Sequence, residues 1–128
     1  MSHILCLEYP PCSTCKKATA WLDAQGVTYT RRHIVQDNPT AQELEVYHQA
    51  SALPIRRFFN TSGMLYRQRN IKALLDAGLT DQECYQLLAE DGMLVKRPLL
   101  VVSDSEGVIT SVVPGFKEDL WRSALGIS

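Results

Sequence analysis

Residues 3–26 read HILCLEYPPCSTCKKATAWLDAQG, and this stretch decides the fold class. Its first part, His3–Tyr9, is a short β-compatible run that ends at two consecutive prolines. Residues 14–25 carry apolar side chains at helical spacing, and Gly26 is a natural residue to end that helix. Residues 27–35 are rich in Val, Thr, Tyr and Ile, which suits a second strand. The pattern predicts a βαβ unit with parallel strands and a right-handed crossover.

The middle of the chain is predicted to be helical. Thr40–Glu43 and Thr80–Glu83 both have the capping-box pattern, in which Thr and Glu satisfy free backbone N–H groups of the first helical turn. Pro54 begins a further short helix, which the turn residues Asn60–Gly63 end. These signals predict a helical insertion at about residues 40–92.

The last part of the chain returns to strands. Residues 99–103 and 108–113 flank Asp104–Gly107, which is typical of a hairpin turn, and a final helix follows with Phe116, Leu120, Trp121 and Ala124 predicted on one face. The order predicts an α/β fold with a thioredoxin-like (glutaredoxin-like) βαβ–ββα core and the helical insertion in its middle. We expect residues 1–128 to form a single domain.

Composition excludes several classes of protein. The 128 residues are 45% hydrophobic and 21% charged, which excludes a disordered chain and a disulfide-dense miniprotein. The formal net charge of −1 leaves no surplus of cations for direct binding to nucleic acid or a membrane surface. The N-terminal residues do not form a signal peptide, and the longest apolar run, Leu99–Val102, is too short to cross a bilayer. We therefore expect a cytoplasmic protein whose thiols stay reduced.

Cys12 and Cys15 form a Cys-x-x-Cys pair between the first predicted strand and the first predicted helix. A helix N-terminus offers unpaired N–H groups and a partial positive charge, and both stabilise a thiolate. Cys12, at the exposed end of the loop, is predicted to be the attacking sulfur. Cys15, one turn into the helix, is predicted to be the resolving sulfur that closes a disulfide. Lys16 adds positive charge to the same turn.

Two other interpretations of the cysteine pair stay open. A zinc site needs two more ligands, and the chain has neither a second Cys-x-x-Cys nor a His pair at finger spacing. An inert buried pair is poorly matched by the two prolines before it and the two lysines after it. We therefore favour a redox pair and expect no bound metal. Cys6 and Cys84 are expected to be buried packing groups.

Arg97 and Pro98 stand immediately before the predicted strand at residues 99–103. A proline is tolerated at the start of a strand because its missing N–H falls outside the hydrogen-bond ladder. A cis Arg97–Pro98 bond would form a tight turn against the cysteine loop. Arg97 would then present a guanidinium suited to a tetrahedral oxyanion or a carboxylate. The alternative is a solvated arginine beside a strand-edge proline.

Four blocks of the chain resemble the ArsC/Spx family of thioredoxin-fold proteins, the arsenate reductases and their relatives. They are residues 9–18 (YPPCSTCKKA), 58–66 (FFNTSGMLY), 91–99 (DGMLVKRPL) and 115–118 (GFKE). The blocks span nearly the whole chain, and their joint occurrence is specific. The chain looks most like the short bacterial branch of arsenate reductase-like proteins.

The resemblance implies an enzyme that is a monomeric, thiol-dependent oxidoreductase acting on a small oxyanion or an oxidised thiol. In arsenate reductases the cysteine at the Cys12 position attacks arsenate, and the arginine of the Arg-Pro pair binds the oxyanion, a role that carries over to Arg97, with Lys16 and Pro98 beside it. The expected reductant is external, either glutathione with glutaredoxin or thioredoxin, and no cofactor is bound. Glutathione-coupled members carry a further arginine in the segment around Asn60, where this chain has asparagine, and another in the loop after the last hairpin, where this chain has residues 113–115 (VPG). They also lack a second cysteine, so Cys15 implies a self-resolving pair.

Spx proteins share the Cys-x-x-Cys and the Arg-Pro pair, and they bind RNA polymerase. The resemblance therefore also implies an alternative, a redox-sensing regulator that binds RNA polymerase or another protein. The basic, flexible tail typical of Spx does not follow the last predicted helix, which favours the reductase-like branch. A vestigial cysteine pair is the third alternative.

Overall fold

The computed structural model describes residues 2–127. The order of the elements confirms the predicted arrangement, in which a β-α-β unit is followed by a helical block and then by β-β-α. Along the chain the elements are β1 (His3–Glu8), α1 (Ser13–Ala24), β2 (Thr30–His33), α2 (Ala41–Ser51), a 3-10 helix (Ile55–Phe58), α3 (Met64–Gln68), α4 (Ile71–Asp76), α5 (Asp81–Glu90), a second 3-10 helix (Gly92–Leu94), β3 (Leu99–Ser103), β4 (Ile109–Pro114) and α6 (Glu118–Leu125). These elements form two compact units. The first unit runs to His33 and resumes at Arg97, and the second is Ile34–Lys96.

The first unit contains a four-stranded mixed sheet in the order β2-β1-β3-β4. β1 pairs with β2 in parallel, as the βαβ prediction requires, and β3 pairs antiparallel with both β1 and β4. Leu7 lies opposite Leu99 in the β1–β3 register, so the end of β1 lies beside the start of β3. β2 is shorter than predicted because only Thr30–His33 pairs with β1.

One face of the sheet packs against α1 and α6 to form the core of the first unit. The residues that make this core are Cys6, Ala18, Leu22, Leu100, Val102 and Trp121. Trp121 is fully buried, and its indole N–H donates to the Gly115 carbonyl at 2.9 Å. Leu120 was expected on the same face, but it is 46% exposed. Consecutive helical residues point about 100° apart, so Leu120 turns away from the sheet when Trp121 faces it.

The second unit holds α2 to α5. Both predicted capping boxes form, since Thr40 and Thr80 each accept a hydrogen bond from the backbone of the Glu three residues later and that Glu accepts one in return. His48 on α2 is held from both sides, by the Tyr85 hydroxyl at 2.6 Å and the Leu53 carbonyl at 2.9 Å. None of the helices within residues 2–127 has the length and apolar character needed to cross a membrane.

Candidate active site

The loop between β1 and α1 places Cys12 at the start of the helix. The Cys12 N–H donates to the Tyr9 carbonyl at 2.9 Å, which closes a turn around the two prolines. Cys12 is the residue that precedes the first helical turn, with an extended backbone, and the Lys16 N–H donates to its carbonyl at 3.0 Å. Its half-buried side chain therefore lies where the helix presents free N–H groups.

The surroundings of Cys12 favour its thiolate. Partial burial acts to raise the pKa of Cys12, but hydrogen bonds to its sulfur outweigh burial and lower the pKa from the ordinary value. The donors are the backbone N–H and the side chain of Cys15, the backbone N–H of Thr14 and the side chain of Arg97. Two of these contributions are the helix N-terminal N–H groups that the sequence predicted.

Cys15 has the opposite character. It is fully buried, and the Tyr9 N–H donates to its sulfur at 3.4 Å. Burial raises the pKa of Cys15 to about 12, and the hydrogen bond to Cys12 together with the negative charges of Cys12 and Glu8 raises it too, against the lowering effect of the Tyr9 N–H. In the resting site Cys12 is therefore the sulfur that ionises, while Cys15 keeps its proton.

Arg97 reaches this site from the start of β3. The Arg97–Pro98 bond is cis, which was one of the two alternatives left open by the sequence, and the guanidinium carbon lies over the Tyr9 ring at 5.2 Å from its centroid. Pro98 is buried, and its carbonyl accepts a hydrogen bond from the Gly115 N–H at 2.8 Å. The structure thus brings Arg97 to Cys12 and fastens Pro98 to the end of β4. The side chain of Lys16 is exposed on the first turn of α1.

The sequence reasoning missed two residues of the site, Glu8 and Tyr9. Glu8 is only 7% exposed at the end of β1, and its charge contributes to the raised pKa of Cys15. The sequence feature that could have identified Glu8 is a carboxylate at the end of an apolar strand. Tyr9 contacts both cysteines through its backbone and Arg97 through its ring. Its position directly before Pro10 was the available signal.

The two cysteines outside the pair are buried, as expected. Cys6 and Cys84 are both 0% exposed. Burial raises the pKa of Cys6 to about 12, and the charges of Cys15 and Glu8 add to this effect. Burial also raises the pKa of Cys84. Within residues 2–127 no three His, Cys, Asp or Glu side chains converge as ligands for a metal ion.

Asn60 and Gly115 lie in the two segments in which this chain departs from the arginines of the glutathione-coupled arsenate reductases that it resembles. Asn60 is buried in the second unit, and its N–H donates to the Leu94 carbonyl at 2.8 Å. Gly115 donates to the Pro98 carbonyl at 2.8 Å and accepts from the Trp121 indole at 2.9 Å. Both residues therefore hold the backbone together rather than supply a cation.

Residues 7–124 match the sequence model of the ArsC family. The chain is 44% identical to the protein YusI of Bacillus subtilis over 111 residues, which is 87% of this chain and 88% of that one. It is 28% identical to the regulatory protein MgsR of Bacillus subtilis over 84% of this chain and 82% of that one. The global transcriptional regulator Spx of Staphylococcus saprophyticus is 27% identical over 72% of this chain and 68% of that one.

Solved structures of similar proteins have the same fold. An ArsC family related protein from Bacteroides fragilis superposes with a TM-score of 0.86 at 43% identity, covering 94% of this chain and 96% of that one. A protein from Streptococcus mutans described as a possible arsenate reductase superposes with a TM-score of 0.79 at 40% identity, covering 94% of this chain and 98% of that one. The predicted thioredoxin-like fold with a helical insertion is thereby confirmed.

Proposed function

The chain belongs to the ArsC family, and from this premise we propose that it is a thiol-dependent oxidoreductase that reduces a small oxyanion such as arsenate. Cys12 is the nucleophile, Cys15 is the resolving thiol and Arg97 binds the anion. The observation that supports this assignment is the opposite effect of the site on its two sulfurs. It lowers the pKa of Cys12 and raises that of Cys15, so one sulfur is ready to attack and the other is held in reserve.

The first chemical step is attack by the Cys12 thiolate on the oxyanion. With arsenate, a sulfur–arsenic bond forms and one oxygen leaves as hydroxide, which takes a proton from solvent to become water. The Arg97 guanidinium, which donates to the Cys12 sulfur in the resting site, is placed to donate to an oxygen of the substrate as well. Its charge offsets the negative charge that the substrate brings to a thiolate.

The second step forms the disulfide. The Cys15 thiolate attacks the Cys12 sulfur, and the sulfur–arsenic bond breaks with its electron pair on arsenic. Arsenic(V) thereby becomes arsenic(III) and leaves as arsenite, while the proton of Cys15 passes to solvent. An external dithiol, thioredoxin or glutathione with glutaredoxin, then supplies two electrons and two protons to restore both thiols.

The two steps are ordered by the electrostatics of the pair. In the resting site the charge of Cys12 and its hydrogen bond with Cys15 raise the pKa of Cys15. Once the Cys12 sulfur is bonded to the substrate, it no longer carries the thiolate charge or accepts a hydrogen bond as a thiolate, and the charge of the bound oxygens is offset by Arg97, whereas the Tyr9 N–H still stabilises a Cys15 thiolate. Formation of the adduct therefore makes the resolving sulfur easier to ionise.

The test is arsenate-dependent consumption of NADPH by the purified chain, coupled in parallel to thioredoxin with its reductase and to glutathione with glutaredoxin. Cys12→Ser should abolish turnover, and Cys15→Ser should stop after one adduct, which mass spectrometry identifies. Cys84→Ser, a buried cysteine of the second unit, is the matched control and should keep its activity. Full turnover by Cys12→Ser would refute the enzyme assignment.

The second candidate function is a redox switch that binds a partner protein. It is favoured by the similarity to MgsR and Spx, both of which are described as regulators. In that case the Cys12–Cys15 disulfide changes affinity for a protein such as RNA polymerase. Binding of the oxidised and the reduced chain to purified RNA polymerase tests it. A difference that Cys12→Ser removes supports the switch, and equal weak binding of both forms refutes it.

A further inference from the structure

Three contacts of the site meet at Tyr9. Its N–H donates to the Cys15 sulfur at 3.4 Å, and its carbonyl accepts from the Cys12 N–H at 2.9 Å. The guanidinium carbon of Arg97 lies over its ring at 5.2 Å from the centroid. We propose that Tyr9 is a positioning residue whose ring holds the Arg97 guanidinium in reach of the Cys12 sulfur and of an anionic substrate. The substrate part of this inference rests on the proposed function.

The strand register explains why Tyr9 and Arg97 meet. Leu7 pairs with Leu99 between the antiparallel strands β1 and β3. Tyr9 directly follows the end of β1, and Arg97 lies two residues before the start of β3, so both leave the paired strands at the same end. Pairing of β1 with β3 therefore brings the two segments to the same edge of the sheet, and a variant that keeps the pairing keeps them at that edge.

The Tyr9 ring is itself held in place. Its backbone leads into two prolines whose φ angles are restricted, and His33 at the end of β2 meets it edge-on, with the ring centroids 5.8 Å apart and an interplanar angle of 80°. The ring is half-buried. A fixed aromatic face can therefore act as a platform for a cation that approaches from β3.

A platform matters here because an arginine side chain has many rotamers. The guanidinium donates only at its edges, so a ring against its face restricts its movement without occupying its N–H groups. Arg97 can then donate to the thiolate before reaction and to the substrate during it. The ionisable groups around this site are Cys15 on α1 and Arg97 before β3, which interact with the Cys12 sulfur, His33 on β2, which meets the Tyr9 ring, and Glu8 on β1, whose charge acts on Cys15.

The test measures the pH dependence of Cys12 alkylation by iodoacetamide in the full chain, with the modified residue identified by mass spectrometry. No substrate is needed. Tyr9→Leu should lower the rate at a fixed pH below the Cys12 pKa by about two- to fivefold, because the thiolate loses part of its support from Arg97. Tyr9→Phe, which keeps the ring, should restore the rate of the unmodified chain. Tyr9→Met provides a second variant of different volume.

The control is a similar pair elsewhere in the first unit. The Arg31 guanidinium carbon lies over the Tyr29 ring at 5.7 Å from its centroid, and this pair is tied to Asp23 on α1. Tyr29→Leu removes the same kind of contact there and should leave the alkylation profile of Cys12 unchanged.

A double-mutant cycle decides whether Tyr9 acts through Arg97. In an Arg97→Met background, Tyr9→Leu should cause no further change in the alkylation profile. An equal effect of Tyr9→Leu with and without Arg97 would show a merely structural role, and no effect in either background would also overturn the proposal. Arsenate turnover is measured separately on the same variants. A positive cycle without turnover by the unmodified chain would refute the proposed function while leaving the position of Tyr9 established.

Discussion

Replacement of Arg97 by methionine is expected to raise the pKa of Cys12 and to slow its alkylation at a fixed pH below that pKa. The guanidinium donates a charged hydrogen bond to the Cys12 sulfur, and such a bond contributes about 1.5–3 kcal/mol. The lower end of that range corresponds to about a tenfold fall in the thiolate fraction, and so in the alkylation rate, at a fixed pH below the pKa of Cys12. Solvent screening at this half-buried thiol favours the lower end. The N–H groups of Thr14 and Cys15 remain as donors and limit the rise.

The assay is a pH titration of the thiolate, followed by its ultraviolet absorbance and checked by the rate of alkylation. Lys16→Met is the matched control, since it removes a cation from the same helical turn but one whose side chain is exposed. Screening by water should keep its effect well below that of Arg97→Met. The two variants separate a direct contact with the sulfur from a general effect of positive charge.

Two results would refute this reasoning. An unchanged Cys12 pKa in Arg97→Met would mean that the helix N-terminal N–H groups and the Cys15 thiol support the thiolate without Arg97. An equal rise in Lys16→Met would mean that the positive charge of the turn, and not the hydrogen bond, is what matters. In the first case Arg97 would also lose its place in the proposed reaction, because it would not interact with the nucleophile.

Three further predictions concern charge and packing. Glu8→Gln removes a negative charge that raises the pKa of Cys15. In a reaction with an aromatic disulfide reagent, attack by Cys12 releases a first aromatic thiol and attack by Cys15 releases a second. The second release should become faster at neutral pH in this variant. Burial raises the pKa values of Cys6 and Cys15 to about 12, above the pKa of a thiol in the unfolded chain. The stability that the two protonated thiols contribute is therefore lost as the pH rises from the unfolded pKa towards about 12. The free energy of unfolding, measured in urea, should fall over that range. Trp121→Phe leaves a cavity and removes a buried indole N–H that donates to the Gly115 carbonyl at 2.9 Å. It should lower the free energy of unfolding by about 1–3 kcal/mol. A change within the error of a urea titration would contradict this prediction.

Local patterns predicted the elements whose signals lie within a few residues. The capping boxes at Thr40 and Thr80 involve groups three residues apart, and both form. The short helices α3 and α4 were not predicted individually. Neither has a side-chain hydrogen bond that caps its start, and Asn70 between them adopts a left-handed conformation with φ of 53°. Their positions depend on burial of side chains such as Tyr66 and Ile71, which only the folded unit provides.

By itself the sequence determined the βαβ unit, the cysteine pair at the start of its helix and the membership of a family with this fold. These follow from short-range periodicity, capping and motif spacing. Only the tertiary structure decided that Arg97 donates to Cys12, that Tyr9 lies beneath Arg97 and that Glu8 is buried near Cys15. The physical reason is the antiparallel pairing of β1 with β3, which brings distant segments together through a hydrogen-bond register that no local pattern encodes.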